Sequence, residues 1–167
     1  MGEEPLVVTL LLDAATQERF DRERRALFPL GRTAVGAHVT LFHALPGTER
    51  ATVAADLDRA AGRPGFGVRV TGPVPLGRGV AYRLEAAELA ALHADLRARW
   101  EPWLTRQDRQ PFRPHVTVQN KVTPAEARRT LAGLAAGFAP FEAVGTGLAL
   151  WAYRGGPWAP LSRHLFG

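Results

Sequence analysis

Apolar residues recur along the chain with two periods, and the switches between them mark out the elements. PLVVTLLLD, from Pro5 to Asp13, is a short β-branched run ending in an acid, the pattern of a buried strand. AATQERFDRERRALFPL then sets Phe20, Arg24 and Leu27 at helical spacing, closed by Pro29 and Gly31. HVTLFHAL, from His38 to Leu45, reads as a strand ended by Pro46-Gly47. Thr48 is placed to cap a helix through ERATVAADLDRAAG, whose Val53 and Leu57 share one face. GFGVRVTGPVPL and GVAYRLEA, joined by Gly77-Arg78-Gly79, alternate as two strands of a hairpin.

The second half repeats this order. Leu89, Leu92, Leu96 and Trp100 recur at helical spacing within Ala87 to Trp103, a stripe expected in the core. The polar loop LTRQDRQPFR leads into PHVTVQNKV, a second strand. A helix follows from Thr123-Pro124, with Glu126 at the capping-box position, and ends near Gly137. FEAVGTGLALWAYRGG and WAPLSRHLF read as a closing strand pair. The two His-x-Thr strands lie 77 residues apart, and the caps and strand starts that follow them are displaced by 75. Matched elements moving with a matched motif point to an internal duplication within one domain spanning residues 1–167. The expected architecture is α+β: two pseudo-symmetric lobes around a central cleft, each an antiparallel sheet with helices on its outer face.

Composition narrows the chemistry. Hydrophobic residues make up 46% and charged residues 22%, as in a globular domain. With no cysteine, disulfides, thiolate metal sites and thiol nucleophiles are excluded. The start MGEEPLVVTLLLDAAT is acidic and lacks the basic region of a signal peptide, and no apolar run approaches the roughly 18 residues of a membrane span. The expectation is a cytoplasmic monomer with no membrane contact and no obligatory protein partner. Lys and Arg total 21 against 16 acids, and Lys121 is the only lysine. The excess charge favours anionic partners, although a GC-rich coding bias also explains arginine in place of lysine.

The chemistry-bearing residues are the two His-x-Thr pairs. Side chains at i and i+2 share one strand face, so His38 sits with Thr40 and His115 with Thr117. Val39, Leu41, Val116 and Val118 then point into the core, and His43 is expected away from the cleft face. Two imidazoles suit phosphodiester chemistry near neutral pH: one neutral ring accepts a proton while the other, protonated, donates one. The two hydroxyls can hold non-bridging phosphate oxygens. No metal or other cofactor is needed, and no third ligand stands at metal spacing beside the histidines. His43, His93 and His164 have no threonine two positions on and are expected to be structural or exposed.

HVTL at 38–41, HVTV at 115–118 and the surrounding PFRPHVTVQNKV resemble the 2H phosphoesterase superfamily, in its LigT-like branch known as 2′-5′ RNA ligases. The resemblance implies a bilobal fold and metal-independent hydrolysis of 2′,3′-cyclic phosphates on RNA ends or nucleotides, with 2′-5′ joining as the reverse reaction. It makes His38, Thr40, His115 and Thr117 the catalytic set, with His115 activating water and His38 protonating the leaving ribose oxygen. The motif symmetry itself gives no preference between the two roles. Arg113 and Arg109 are candidates for phosphate contact, and Phe42, Phe112, Trp151 and Tyr153 for base stacking. Two alternatives remain open: a non-catalytic RNA-binding module of the same fold, and a phosphodiesterase for a small non-RNA cyclic phosphate.

Overall fold

A computed structural model describes residues 3–29 and 35–167. Its elements are β1 (Leu6–Leu12), α1 (Ala14–Leu27), β2 (Val39–Leu45), α2 (Arg50–Ala60), β3 (Phe66–Leu76) and β4 (Gly79–Glu85), followed by α3 (Ala87–Trp100), β5 (His115–Gln119), α4 (Pro124–Ala136), β6 (Phe141–Tyr153) and β7 (Trp158–Leu165). Local chemistry sets the boundaries. Asp13 accepts from the backbone N–H and the hydroxyl of Thr16 and so caps α1, and Thr123 accepts from Glu126 N–H ahead of α4. Gly77, at φ 51°, takes the left-handed conformation that the β3–β4 turn demands. Thr48 departs from expectation: it lies in a 3-10 turn, Gly47–Glu49, and makes no cap bond to α2. Helix α1 ends at Leu27 before Pro29, and Gly31, expected to help close it, lies outside the described residues.

All seven strands form one antiparallel sheet in the order β2-β1-β6-β3-β4-β5, with β7 beside β6. Exchange β1, β2 and β3 for β4, β5 and β6, and the order reads the same from the other end. The third strand of each half pairs with the first strand of the other: β3 with β4, and β6 with β1. The helices cross over as well. Helix α1 lies against β5, and α4 against β3 and β4. Helix α3 reaches β2, where His93 bonds Leu41 O and Trp100 meets Phe42 edge-on. Helix α2 lies along β7 and accepts the Trp100 indole N–H on Asp56.

The expected lobes are therefore halves of one continuous sheet. The motif strands, which a facing-lobe arrangement would place centrally, are its two outermost strands, β2 and β5. They nevertheless come together. Accumulated strand twist curls the sheet until its ends approach, with the helices packed on the convex side. Val39, Leu41, Val116 and Val118 are at most 3% exposed on that side, as alternation requires.

Leu57 is fully buried in the convex core, so Leu57→Ala should cost about 2–5 kcal/mol in urea unfolding. Leu165, 64% exposed, should tolerate alanine to within about 0.5 kcal/mol. Equal costs at the two positions would mean that the core is misplaced.

Candidate active site

His38 immediately precedes β2, and His115 opens β5. Each ring is held in the same way. Nδ1 of His38 lies 2.8 Å from Gly36 O, and Nδ1 of His115 lies 2.8 Å from Arg113 O, in each case the carbonyl two residues back. A carbonyl only accepts, so Nδ1 carries a proton in both rings, and neither Nε2 has a hydrogen-bond partner among the described residues. Thr40 and Thr117 follow on the same strand face, both half-buried. The geometry thus brings two like-oriented imidazoles and two hydroxyls to the place where β2 and β5 meet.

Helix α1 positions this junction. Gln17 donates to Ala37 O at 2.8 Å, Asp21 accepts from Ala37 N–H at 2.7 Å, and Arg24 Nε donates to Val35 O at 3.1 Å. The same guanidinium donates from Nη1 to Thr117 O at 2.6 Å. Arg24 is 7% exposed, with its plane over the Phe28 ring. One buried arginine therefore joins the backbone ahead of the first motif to the backbone of the second. The sequence carried a signal for this role: a charged residue between Phe20 and Leu27 on an apolar helix face must find buried acceptors.

A cavity opens beside each histidine. The one beside His115, of about 770 Å³, is walled by β3, β4, the start of α3 and Phe112 to His115, and it includes Arg83 and Arg113. The one beside His38, of about 450 Å³, is walled by β1, the start of α1 and Val35 to His38, with Trp151, Thr146 and Arg163. Under the exchange that relates the halves of the sheet, the two sets of walls correspond. Trp158 packs on the His38 ring with centroids 4.5 Å apart, a contact that nothing in the local sequence pattern announced. Among the described residues, no group of three or more His, Asp or Glu side chains gathers as a metal site.

Burial pushes the His38 imidazole down to about 4; the bond to Gly36 O opposes the shift, and Arg24, His115 and His43 add to it through their positive charge. His38 is therefore neutral at pH 7 in the cleft without substrate. His93 is also lowered by burial, stacked between Phe42 and Phe112 with Nε2 at Leu41 O. His164 is buried between Ser162 and Asp58. Both hold elements together, as expected of histidines outside the motif.

Two expectations change because β2 is bulged. Thr40 pairs with Thr9, but Phe42 pairs with Val8, so one extra residue enters β2 and the alternation reverses. Phe42 turns inward, fully buried against His93 and Trp100, and cannot stack a base. His43 turns outward, its side chain 41% exposed and its Nδ1 2.9 Å from Asp108, near enough for its charge to act on His38. Burial pushes the Asp108 carboxyl up, but the bonds it takes from the His43 ring and from the N–H groups of His43 and Ala44 outweigh this and hold it below the usual range. Tyr153 is 40% exposed at the end of β6 and lines neither cavity. Arg109 is tied to Glu101 and Leu104 O, whereas Arg113, Phe112 and Trp151 do border the two cavities.

The His38 value lies below the 6.5 of an unfolded histidine, so the fold resists taking up this proton. Stability should accordingly fall as pH drops from 6.5 toward 4, and the loss should shrink in His38→Gln. NMR titration of the free protein should place His38 near 4, and inorganic phosphate should move it upward. A value at or above 6.5 in the free protein would contradict the buried, cation-flanked setting.

Comparison with known proteins places this arrangement. The profile of the 2′-5′ RNA ligase superfamily matches residues 12–157. No curated protein sequence matches the chain. Among solved structures, TT0787 of Thermus thermophilus superposes with a TM-score of 0.70 at 21% identity, covering 97% of each chain. E. coli LigT complexed with 3′-AMP gives 0.65 at 21% identity over 98% of each chain, and its ATP complex gives 0.60 at 21% over 99%. The match over most of the length, joined to this shared fold, shows that the chain belongs to the 2′-5′ RNA ligase superfamily, the LigT-like 2H phosphoesterases.

Proposed function

We propose that the protein opens 2′,3′-cyclic phosphates on RNA ends or nucleotides, and that the same site run backwards forms 2′-5′ bonds. The observation that carries this reading is the pair of histidines held alike by their Nδ1 protons, each followed by a threonine on the same face. Structures of E. coli LigT with 3′-AMP, ATP and NADP+ support nucleotides as the ligand class. The mirror order of the sheet supports one bilobal domain, 1–167, made by duplication. A module that only held RNA would need charge and stacking surface, with no reason to hold two imidazoles alike by their Nδ1 atoms from opposite ends of a sheet.

In hydrolysis, one imidazole takes a proton from the attacking water as its oxygen bonds to phosphorus. The other gives a proton to the ribose oxygen as the P–O bond of the ring breaks. Thr40 and Thr117 donate hydrogen bonds to the non-bridging oxygens, where charge builds in the transition state. The family resemblance gives water activation to His115 and proton donation to His38. His38 is neutral in the free cleft, so in this scheme it gains its proton in the complex, where the phosphate anion favours a charged ring. The pH dependence of the intact enzyme belongs to the coupled pair and does not assign the roles.

Leaving-group chemistry does assign them. His38→Ala and His115→Ala should each lose roughly a hundredfold to ten-thousandfold on a 2′,3′-cyclic phosphate. Thr40→Val and Thr117→Val should lose about ten- to a hundredfold. On a nitrophenyl phosphodiester, whose leaving group needs no proton, His38→Ala should recover most of its rate and His115→Ala should not. Recovery in His115→Ala alone would exchange the roles, and full activity of both variants on every phosphodiester would refute the proposal.

A further inference from the structure

The exchange that relates β1, β2 and β3 to β4, β5 and β6 leaves β7 without a counterpart. The first residue of that strand, Trp158, is the one that packs on His38. The β6–β7 hairpin delivers it. Gly155, at φ 79°, makes the turn, and Arg154 N–H bonds Pro157 O at 2.9 Å. Tyr153 N–H ties the base of the hairpin to Pro5 O at 2.8 Å. Trp158 also packs against Trp151, with centroids 5.9 Å apart, and the Trp151 indole N–H donates to Thr9 Oγ1 at 3.0 Å. Thr9 is the cross-strand partner of Thr40, so the indole on His38 is braced from the strand beside the motif.

The second histidine lacks such a cover. Among the described residues no aromatic ring packs on His115, and Phe112, which borders its cavity, stacks on His93 instead. Two rings held alike through Nδ1 thus differ in their packing, and the difference comes from outside the repeat. The bond to Gly36 O fixes Nδ1 but lets the imidazole swing about that contact. Packing at 4.5 Å, with the planes 50° apart, removes this freedom and excludes water from that face. Charged groups act on the same ring: Arg24 from α1, His115 from β5 and His43 from β2. Asp21 of α1 bonds the adjacent Ala37 N–H, and Arg163 of β7 borders the same cavity. All of these remain when the indole alone is removed.

We infer that Trp158 is a positioning residue for His38: it fixes the plane of the imidazole, keeps water from one face and makes the two motif histidines unequal. This inference rests on His38 taking part in phosphate chemistry, and it adds the group that controls when the ring is charged. An indole face also attracts a cation, so the shielding must outweigh that attraction. Burial is the largest influence on His38, and it disfavours the charged ring.

Two variants separate this role from plain stability. NMR titration, which needs no turnover, should move His38 in Trp158→Ala upward from about 4 toward 6.5, whereas Trp158→Phe should stay near 4. The stability lost between pH 6.5 and 4 should shrink in Trp158→Ala and persist in Trp158→Phe. On a 2′,3′-cyclic phosphate, Trp158→Ala should lose about ten- to a hundredfold in kcat with KM changed by less than about threefold, and Trp158→Phe should regain most of the loss. The loss should follow His38→Ala from substrate to substrate, so a phosphodiester on which His38→Ala is unimpaired should leave Trp158→Ala unimpaired too. His38 titrating in Trp158→Ala as in the native protein, or lower, would overturn the inference, as would equal losses of kcat in the Ala and Phe variants. Nuclear Overhauser contacts between the His38 ring and the Trp158 indole test the packing in the native protein, without any substitution, and their absence would overturn it as well. Failure of the catalytic reading would show separately, as absence of turnover on every cyclic phosphate, and the titration would still decide the role of Trp158.

Discussion

A sheet edge is a row of backbone N–H and C=O groups without partners, and in this protein the strands at the two ends of the β2-to-β5 order each carry a His-x-Thr motif. The edges must be satisfied, yet the inward faces of the same strands must stay open. Side chains supply the partners where another strand would bury the site. On β2, the Asp108 carboxylate takes the N–H groups of His43 and Ala44. On β5, Arg24 donates to Thr117 O and continues to Val35 O, just ahead of β2. These contacts end the sheet, hold its two ends together and leave the His-x-Thr faces clear. With the bonds of Gln17 and Asp21 to Ala37, they set the place at which the two imidazoles meet.

The same construction sets the electrostatics. Tethering the strand ends with a buried arginine places a permanent positive charge near His38, and Trp158 covers one side of its ring. Both effects disfavour the imidazolium, so the cleft is built to want an anion before it can hold its full complement of protons. Anion binding and protonation of His38 are thereby linked. Arg83 and Arg113 border the cavity beside His115 and add positive charge on that side.

Much of the fold was legible because its signals are local. Alternation gave the strands, helical spacing gave the four long helices, and the Thr123-Pro124 pair marked the start of α4. The duplicated motif carried the site, since i and i+2 geometry needs no knowledge of distant residues. What escaped was non-local. The bulge at Phe42 depends on pairing with β1, and it reversed the faces of Phe42 and His43. That the motif strands are edges follows from the exchange of β3 and β6 between halves, which no window of sequence displays. Arg83, Trp158 and Asp108 enter the site region across strands or from loops, so only the assembled sheet shows their proximity to the motifs.

The central claim is that both free Nε2 atoms address a single phosphate. A crystal structure with a nucleoside 3′-phosphate bound tests it most directly. The account places the phosphate between the rings, with one oxygen about 3 Å from Nε2 of His38 and another about 3 Å from Nε2 of His115. The hydroxyls of Thr40 and Thr117 should donate to the remaining oxygens. A phosphate bound away from one of the histidines, or a metal ion bridging the two rings, would contradict it.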